Sequence, residues 1–316
     1  MLARLLGRLG QSVLVLLVVS MVSFLVFRYI GDPTVSLLGE DASVAEREAL
    51  LHELGFGQSV PVQYAGYLKQ VLGGQFGISY RFRQPVTEVI ASRVPATVER
   101  SLAAALFAVV GGIGLGVYTA MRRPSLVSRT IMGVSLPTFL IGIGLIYLFS
   151  VELKWLPAFG RGTLVNVGGW QTGLLTVSGL SALVLPAITL GFFKLTLIMR
   201  LVRTEMLDVL RSDYIRFARA RGLRNATLYG RHALRNTLIP VITIIGLQLG
   251  SLIAFAIVTE TVFQWPGLGL LFITSIQGVD VPVISAYLLM IGLLYIGINL
   301  VVDLLYAWAD PRLRRR

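Results

Sequence analysis

Cysteine is absent from the 316 residues. That excludes a disulfide framework, a thiolate metal site and a cysteine nucleophile, and leaves the compartment open. Charge is scarce: 14% of residues are Asp, Glu, Lys or Arg, where a soluble domain carries about a quarter. A shortage that large means that most of the surface faces something other than water. The histidines, His52 and His232, stand alone without ligand spacing, so no metal site is expected. The only lysines are Lys69, Lys154 and Lys194. None follows a glycine, so there is no Gly-x-x-x-x-Gly-Lys-Ser/Thr phosphate loop.

What is present is long uncharged runs. A helix needs about 20 apolar residues to cross the hydrocarbon core. Residues 9–27, 101–121, 130–151, 236–259 and 281–302 are free of charge between their flanking ions. A sixth run, 181–202, carries Lys194 in its middle and Arg200 near one end. Lys194 there either snorkels or faces the bundle interior. The expected fold is an all-α membrane protein with six transmembrane helices. Residues 162–180, rich in Gly, Thr, Asn and Gln, read as loop. Residues 261–279 contain Gln264, Pro266, Gly267, Gly269, Gln277 and Gly278, so a re-entrant or interfacial segment fits better than a span. Arg4 and Arg8 before the first run resemble a signal peptide. No small-x-small cleavage site follows, and a retained first span is expected.

Net charge is +12. Alone it would suggest nucleic acid; its placement points to membrane topology instead. With six spans, one side collects Arg4 and Arg8, Arg122, Arg123 and Arg129, nine arginines from Arg200 to Arg235, and Arg312, Arg314, Arg315 and Arg316. The opposite side holds 31–95, with seven acids against five bases. The positive-inside rule then places both termini in the cytoplasm.

Between the spans, Ser43 and Glu46 have capping-box spacing, and a short helix should run to about Leu54 before Gly55. A second is expected from Pro61 to Leu72, closed by Gly73 and Gly74. Two such helices cannot form an independent core; they pack on the spans, cover an entrance or serve as a spacer. The cytoplasmic loop 203–236 carries more information. From Glu205 to Arg221, Met206, Leu207, Leu210, Tyr214, Phe217 and Ala218 follow helical spacing, with Asp208, Arg211, Ser212 and Arg219 largely opposite. Gly222 should end that helix. Asn225 should cap a second one running towards Arg235, with Pro240 in the first turn of the next span. The result would be a two-helix knob. Residue chemistry leaves two readings open: a docking site, or a topogenic loop resting on anionic headgroups. A DNA-binding helix–turn–helix is at odds with attachment to the membrane.

Intramembrane ions and small residues supply the other candidates. Asn299 and Asp303 lie one turn apart near the inner end of the last span. A structural pairing is expected there, with a proton relay as the alternative. Glu260, at the outer end of the fifth span, either braces 261–279 or shapes an external gate. Gly111, Gly112, Gly114 and Gly116, with Gly142 and Gly144, read as close helix packing, with pathway lining as the alternative.

The loop also has a familiar pattern. Tyr214-Ile-Arg-Phe-Ala-Arg-Ala-Arg-Gly-Leu223, followed by Arg231-His-Ala-Leu-Arg-Asn-Thr-Leu-Ile-Pro240, closely resembles the "EAA" coupling loop of binding-protein-dependent ABC import permeases. More narrowly it resembles their dipeptide/oligopeptide (nickel/glutathione) branch. Gly74-Gln-Phe-Gly-Ile-Ser79, Arg93-Val-Pro-Ala-Thr97, Ser135-Leu-Pro-Thr-Phe139 and Trp155-Leu-Pro157 agree in order. So do Glu260-Thr-Val-Phe263, Pro266-Gly-Leu-Gly269, Asn299 to Asp303, and Asp310-Pro-Arg312. The Glu and first Ala of the motif are replaced by Arg216 and Phe217, while Ala218 and Gly222 remain.

The resemblance implies a type I ABC importer permease core in a bacterial cytoplasmic (inner) membrane. Residues 1–95 would hold the first span and an external helical loop. Residues 96–309 would hold the five-span core with its coupling loop 203–236, and 310–316 a basic cytoplasmic tail. Asp213, Tyr214, Arg216, Phe217, Ala218, Arg219, Ala220, Arg221, Gly222 and Leu223 would dock an ATPase. Glu260, Asn299 and Asp303 would be structural or gate residues. Implied partners are a second homologous permease, two ATPase subunits, an external solute-binding protein and membrane lipid, with no nucleic acid. The chain would be no enzyme and bind no cofactor, ATP and Mg being held by the ATPase. The expected cargo is peptides or similar small solutes. Two other functions compete: a stand-alone secondary transporter, and a membrane anchor or assembly protein.

Overall fold

The computed structural model describes residues 2–30, 34, 38, 43–53, 57–121, 137–254 and 256–309. Their elements are helical apart from one hairpin. In order they are α1 (Leu2–Tyr29), α2 (Val44–Glu53), α3 (Val60–Leu72), α4 (Val86–Met121) and α5 (Thr138–Leu145). A π-helical turn (Ile146–Glu152) extends α5, and strands β1 (Val165–Val167) and β2 (Trp170–Thr172) follow. Then come α6 (Val177–Arg211), α7 (Asp213–Ala220) and α8 (Asn225–Thr227). A second π-helical turn (Leu228–Ala233) joins α8 to α9 (Leu234–Ala254), before α10 (Ala256–Val262), α11 (Leu268–Gln277) and α12 (Val281–Ala309). The basic tail 310–316 and the arginines of 122–136 lie outside the described residues.

Four described segments are long and apolar enough to cross a membrane: 10–29, 86–121, 177–211 and 281–300. Two of the six expected spans match less fully: the third is described from Thr138 on, and helices α9 and α10 cover the fifth. Charge-free runs understate helix length. α4 begins at Val86 rather than near residue 101, and carries Glu88, Arg93, Glu99 and Arg100 in its first half. α6 begins at Val177, inside the stretch read as loop, and the hairpin occupies the rest of it. α11 has ten residues, about 15 Å of helix and too short to cross.

The chain divides into two compact units. The first comprises residues 1–94 and 267–297. Here α1 and α12 run antiparallel. Ser23 Oγ donates to the Ser285 carbonyl at 2.8 Å, and Ser285 Oγ returns a bond to the Ser23 carbonyl at 3.2 Å. One end further along, Val19 covers Gly292. α3 lies on α1: Tyr64 and Tyr67 hydroxyls reach Ser20 and Ser23 at 2.7 Å, with Phe24 between the rings. The expected packing of this short helix on a span is therefore seen. The capping box is also formed, since Ser43 N donates to Glu46 at 2.9 Å and Glu46 N to Ser43 Oγ at 3.3 Å. The Ser43 hydroxyl and amide hold the Glu46 carboxyl below its ordinary range. Buried Asp280, just before α12, accepts from Ser79 Oγ and from the amides of Tyr80 and Arg81. Those donors offset the cost of burying a carboxylate. Burial, and then the Asp280 charge, push the Tyr80 phenol up to about 12.

The second unit comprises 95–266 and 298–316. α4 and α6 run parallel in it, with contacts advancing together along both. Ala96 meets Ala182, Ala104 meets Ala187 and Leu190, and Ala108 meets Leu195 and Ile198. α9 returns antiparallel to α6, so that Thr237 lies on Met206 and Val241 on the Val202 cluster. Three of the four clustered glycines make the α4–α6 contact possible. A Cβ on Gly111, Gly112 or Gly116 would stand 2.6–2.8 Å from Leu195, Ile198 or Val202. Gly114 meets nothing. Lys194 is buried, its ammonium 5.7 Å from the Phe193 ring centroid, so it does not snorkel. Pro240 lies inside α9 rather than in a first turn, because α8, the π-helical turn and α9 form one continuous helical stretch.

Candidate functional site

Segment 205–221 is not one helix. α6 ends at Arg211, and Ser212 adopts an extended backbone, ψ 153°, before α7. Its position suits a serine ahead of a first turn that holds Asp213, while Arg219 sits in the last turn; both charges complement the helix dipole. The break changes which side of α7 is covered. Ile215 and Ala218 are buried with Met206, Leu228 and Ala233. Tyr214 and Phe217, expected on the covered face, are exposed, Phe217 by 65%. Periodicity carried across the break assigned them wrongly, and it passed over Ile215.

α7 closes on Gly222. This residue has φ +78°, its amide donates to the Arg219 carbonyl at 3.0 Å, and the Leu223 amide donates to Ala218 at 3.4 Å. That pair of bonds is the Schellman closure, which favours glycine at this position. A side chain there would meet no neighbour within 4 Å, so the requirement is conformational. The returning chain fixes the other end: Tyr214 OH donates to the His232 carbonyl at 3.1 Å and accepts from Asn236 Nδ2 at 2.7 Å. Asn225, expected as a cap, is the first helical residue of α8, and Arg224 holds the extended position before it.

The result is a short helix pinned along one side and open on the other. The open side presents Asp213, Arg216, Phe217, Arg219, Ala220, Arg221, Gly222 and Leu223, and Tyr214 is exposed with its hydroxyl held by the returning chain. Arg221 lies 5.7 Å over the Phe217 ring, and Arg216 bonds Asp213 at 3.3 Å in full solvent contact. Phe217 is thus an exposed aromatic with one guanidinium, that of Arg221, over its ring. The buried side consists of Ala218 and the unanticipated Ile215. A sequence signal for the break existed in the Ser212-Asp213 pair.

Glu260 belongs to a separate cluster. Its carboxylate, fully buried, accepts from Arg100 Nη2 and from Thr97 Oγ1, each at 2.8 Å. Its carbonyl accepts from the Trp265 amide at 2.9 Å, and Trp265 Nε1 donates to the Ala96 carbonyl at 2.9 Å. Arg100, Thr97 and Trp265 were not anticipated, although Arg100 and Glu260 bound two apolar runs. Asn299 is half-buried on α12, and the side chain of Asp303 lies outside the described ones.

Comparison with known proteins bears on the whole chain. The family model described as "Binding-protein-dependent transport system inner membrane component" matches residues 112–315, and that of the corresponding N-terminal membrane component matches 1–103. The chain is 40% identical to the "Di/tripeptide transport system permease protein DppB" of Pseudomonas aeruginosa, over 98% of each. It is 38% identical to the "Dipeptide transport system permease protein DppB" of Escherichia coli, over the full length of both. It is also 39% identical to the "Probable D,D-dipeptide transport system permease protein DdpB" of Escherichia coli, over 96% of this chain and 95% of that one.

Proposed function

The chain belongs to the family of binding-protein-dependent transport inner-membrane components, and on that premise we propose that it forms half of a peptide pathway driven through α7. As a member it is a multi-pass inner-membrane permease, a subunit of an ATP-driven importer. ATP is handled by a separate subunit, and the permease binds no cofactor. Membership sets aside the stand-alone transporter and the anchor protein.

The cargo is a short peptide, a reading supported by the names of relatives that match along the whole chain. The assembly pairs this chain with a second, similar permease, two ATPase subunits and an external binding protein. Six spans with both termini in the cytoplasm are supported by the placement of arginine. Helix directions support them too: spans an even number apart, α4 and α6, run parallel. The first and last, α1 and α12, run antiparallel. Residues 1–95 then carry the first span and the external loop, 96–309 the five-span core, and 310–316 a basic tail. Glu260 acts as a brace through Arg100 and Trp265.

The observation that carries the proposal is the geometry of α7, pinned on one side and exposed on the other. Closure of the ATPase pair pushes on that open face, and the pinned side passes the push to α6 and α9. Gly222→Val tests it. A β-branched residue at φ +78° costs about 1–3 kcal/mol locally and opens the Schellman closure. The variant should insert normally, yet recover less than a tenth of the ATPase on affinity purification. Wild-type recovery of ATPase and wild-type uptake would count against α7 as the docking helix.

A further inference from the structure

α4 and α6 meet through alanine and glycine. Contacts of this kind bring backbones close: a Cβ on Gly191 would stand 2.6 Å from the Ala104 carbonyl oxygen. These contacts, with Leu195, Ile198 and Val202 seated over the α4 glycines, are dispersion contacts without directional bonds. Two adjacent residues of α4 add directional bonds. Successive residues on a helix point about 100° apart, so Glu99 and Arg100 leave towards different neighbours. Arg100 reaches Glu260 on α10. Glu99, itself buried, accepts from Arg161 Nη2 at 2.6 Å and from Trp170 Nε1 at 2.9 Å.

Arg161 and Trp170 belong to the hairpin region. Its strands have three residues each, joined through Gly168 and Gly169 at φ 59° and 87°. A lone hairpin of that size is marginal in water. Its base is built into the start of α6. Thr176 Oγ1 accepts from the Gly179 amide at 3.0 Å and donates to the Thr163 carbonyl at 2.7 Å. The Thr163 amide donates to Ser178 Oγ at 3.0 Å. A Cβ on Gly179 would lie 2.2 Å from the Gly173 carbonyl oxygen. The hairpin is therefore an extension of α6, and Arg161, which precedes β1, also donates to the Gln171 carbonyl at 2.7 Å, tying β2 to the clasp.

We propose that Glu99 is a positioning residue that fixes the axial register of α4 against α6 during transport, by clasping the hairpin that grows from α6. A slide by one turn, about 5.4 Å, would carry Glu99 out of reach of Arg161, to which it is bonded at 2.6 Å. The role rests on the reading that the push enters at α7. α6 runs from the hairpin base to Ser212, where α7 begins. A displacement arriving along α6 reaches the outer part of α4 through this clasp.

The chain has no cysteine, so introduced pairs report cleanly. Ala104→Cys with Ala187→Cys reads the native register; Ala108→Cys with Ala187→Cys reads a slip of one turn. Both are cross-linked in the complete importer, without nucleotide and with ATP trapped by vanadate. The unmodified background should give the native pair alone in both states. Glu99→Gln should raise the slipped pair at least fivefold on trapping, and Trp170→Phe by less. The native pair alone in Glu99→Gln overturns the proposal. So does parallel loss of both pairs together with protein yield, which marks a merely structural role. If Glu99→Gln fails to assemble, Trp170→Phe carries the same test. If Gly222→Val keeps its ATPase and its uptake while Glu99→Gln still raises the slipped pair on trapping, the α7 reading fails and the clasp stands, because the slipped pair reports register wherever the push enters.

Discussion

At the scale of single residues, burial and close approach decide what a substitution does. Glu260 and Arg100 are fully buried and 2.8 Å apart. Removing one partner of such a pair costs about 3–5 kcal/mol, because the other charge stays in a low-dielectric site. Glu260→Ala should lower the thermal unfolding midpoint of the importer in nanodiscs far more than Asn299→Ala. Equal midpoints would show that Glu260 is no brace. The glycines of α4 separate in the same way. Gly112→Ala places a methyl 2.8 Å from Ile198, whereas Gly114→Ala places one in open space. Overpacking costs about 1–3 kcal/mol, so the first should destabilise and the second should not. Sequence showed the glycine cluster but not which members face a neighbour, since helix rotation is set by the partner.

Elements were legible where one physical signal ruled. The capping box at Ser43, the end of α3 at Gly73 and the stop at Gly222 all follow from local chemistry, and all appear as expected. Reading failed where two signals competed. The apolar spacing of Met206, Leu210 and Tyr214 runs through Ser212, so periodicity outweighed the serine that breaks the helix. The hairpin was missed because its strands have three residues each and are held by Glu99 and Arg161, a long-range bond with no local trace. The corrected face of α7 gives a paired prediction. Ile215→Ala should leave a cavity against Met206 and Leu228, costing about 2–5 kcal/mol and raising amide exchange across 213–220. Phe217→Ala should leave that exchange unchanged and weaken ATPase recovery several-fold. If the two effects were exchanged, with Phe217 protecting the amides, the exposed face would be the wrong one.

For the whole molecule, the directions of α4 against α6 and of α1 against α12 agree with the proposed six-span order, and its sidedness rests on charge counting. Charge counting uses arginines that lie partly in 122–136 and 310–316, outside the described residues. Helix direction uses only contacts within each unit. The absence of cysteine makes that sidedness testable with single introduced cysteines. Leu175→Cys, 68% exposed beside the hairpin, should react with a membrane-impermeant maleimide on spheroplasts. Arg219→Cys, on the open face of α7, should react only after permeabilisation, and so should Arg316→Cys. The last site is the discriminating one. If 261–279 crossed the membrane, the span count would become odd and Arg316→Cys would be labelled from outside. The ten-residue length of α11 argues against that crossing. Moving the four C-terminal arginines outward would also oppose the retention of Lys and Arg on the cytoplasmic side. Labelling of Arg316→Cys in intact spheroplasts, with Arg219→Cys still protected, would establish seven spans and overturn the six-span arrangement without touching the role of α7.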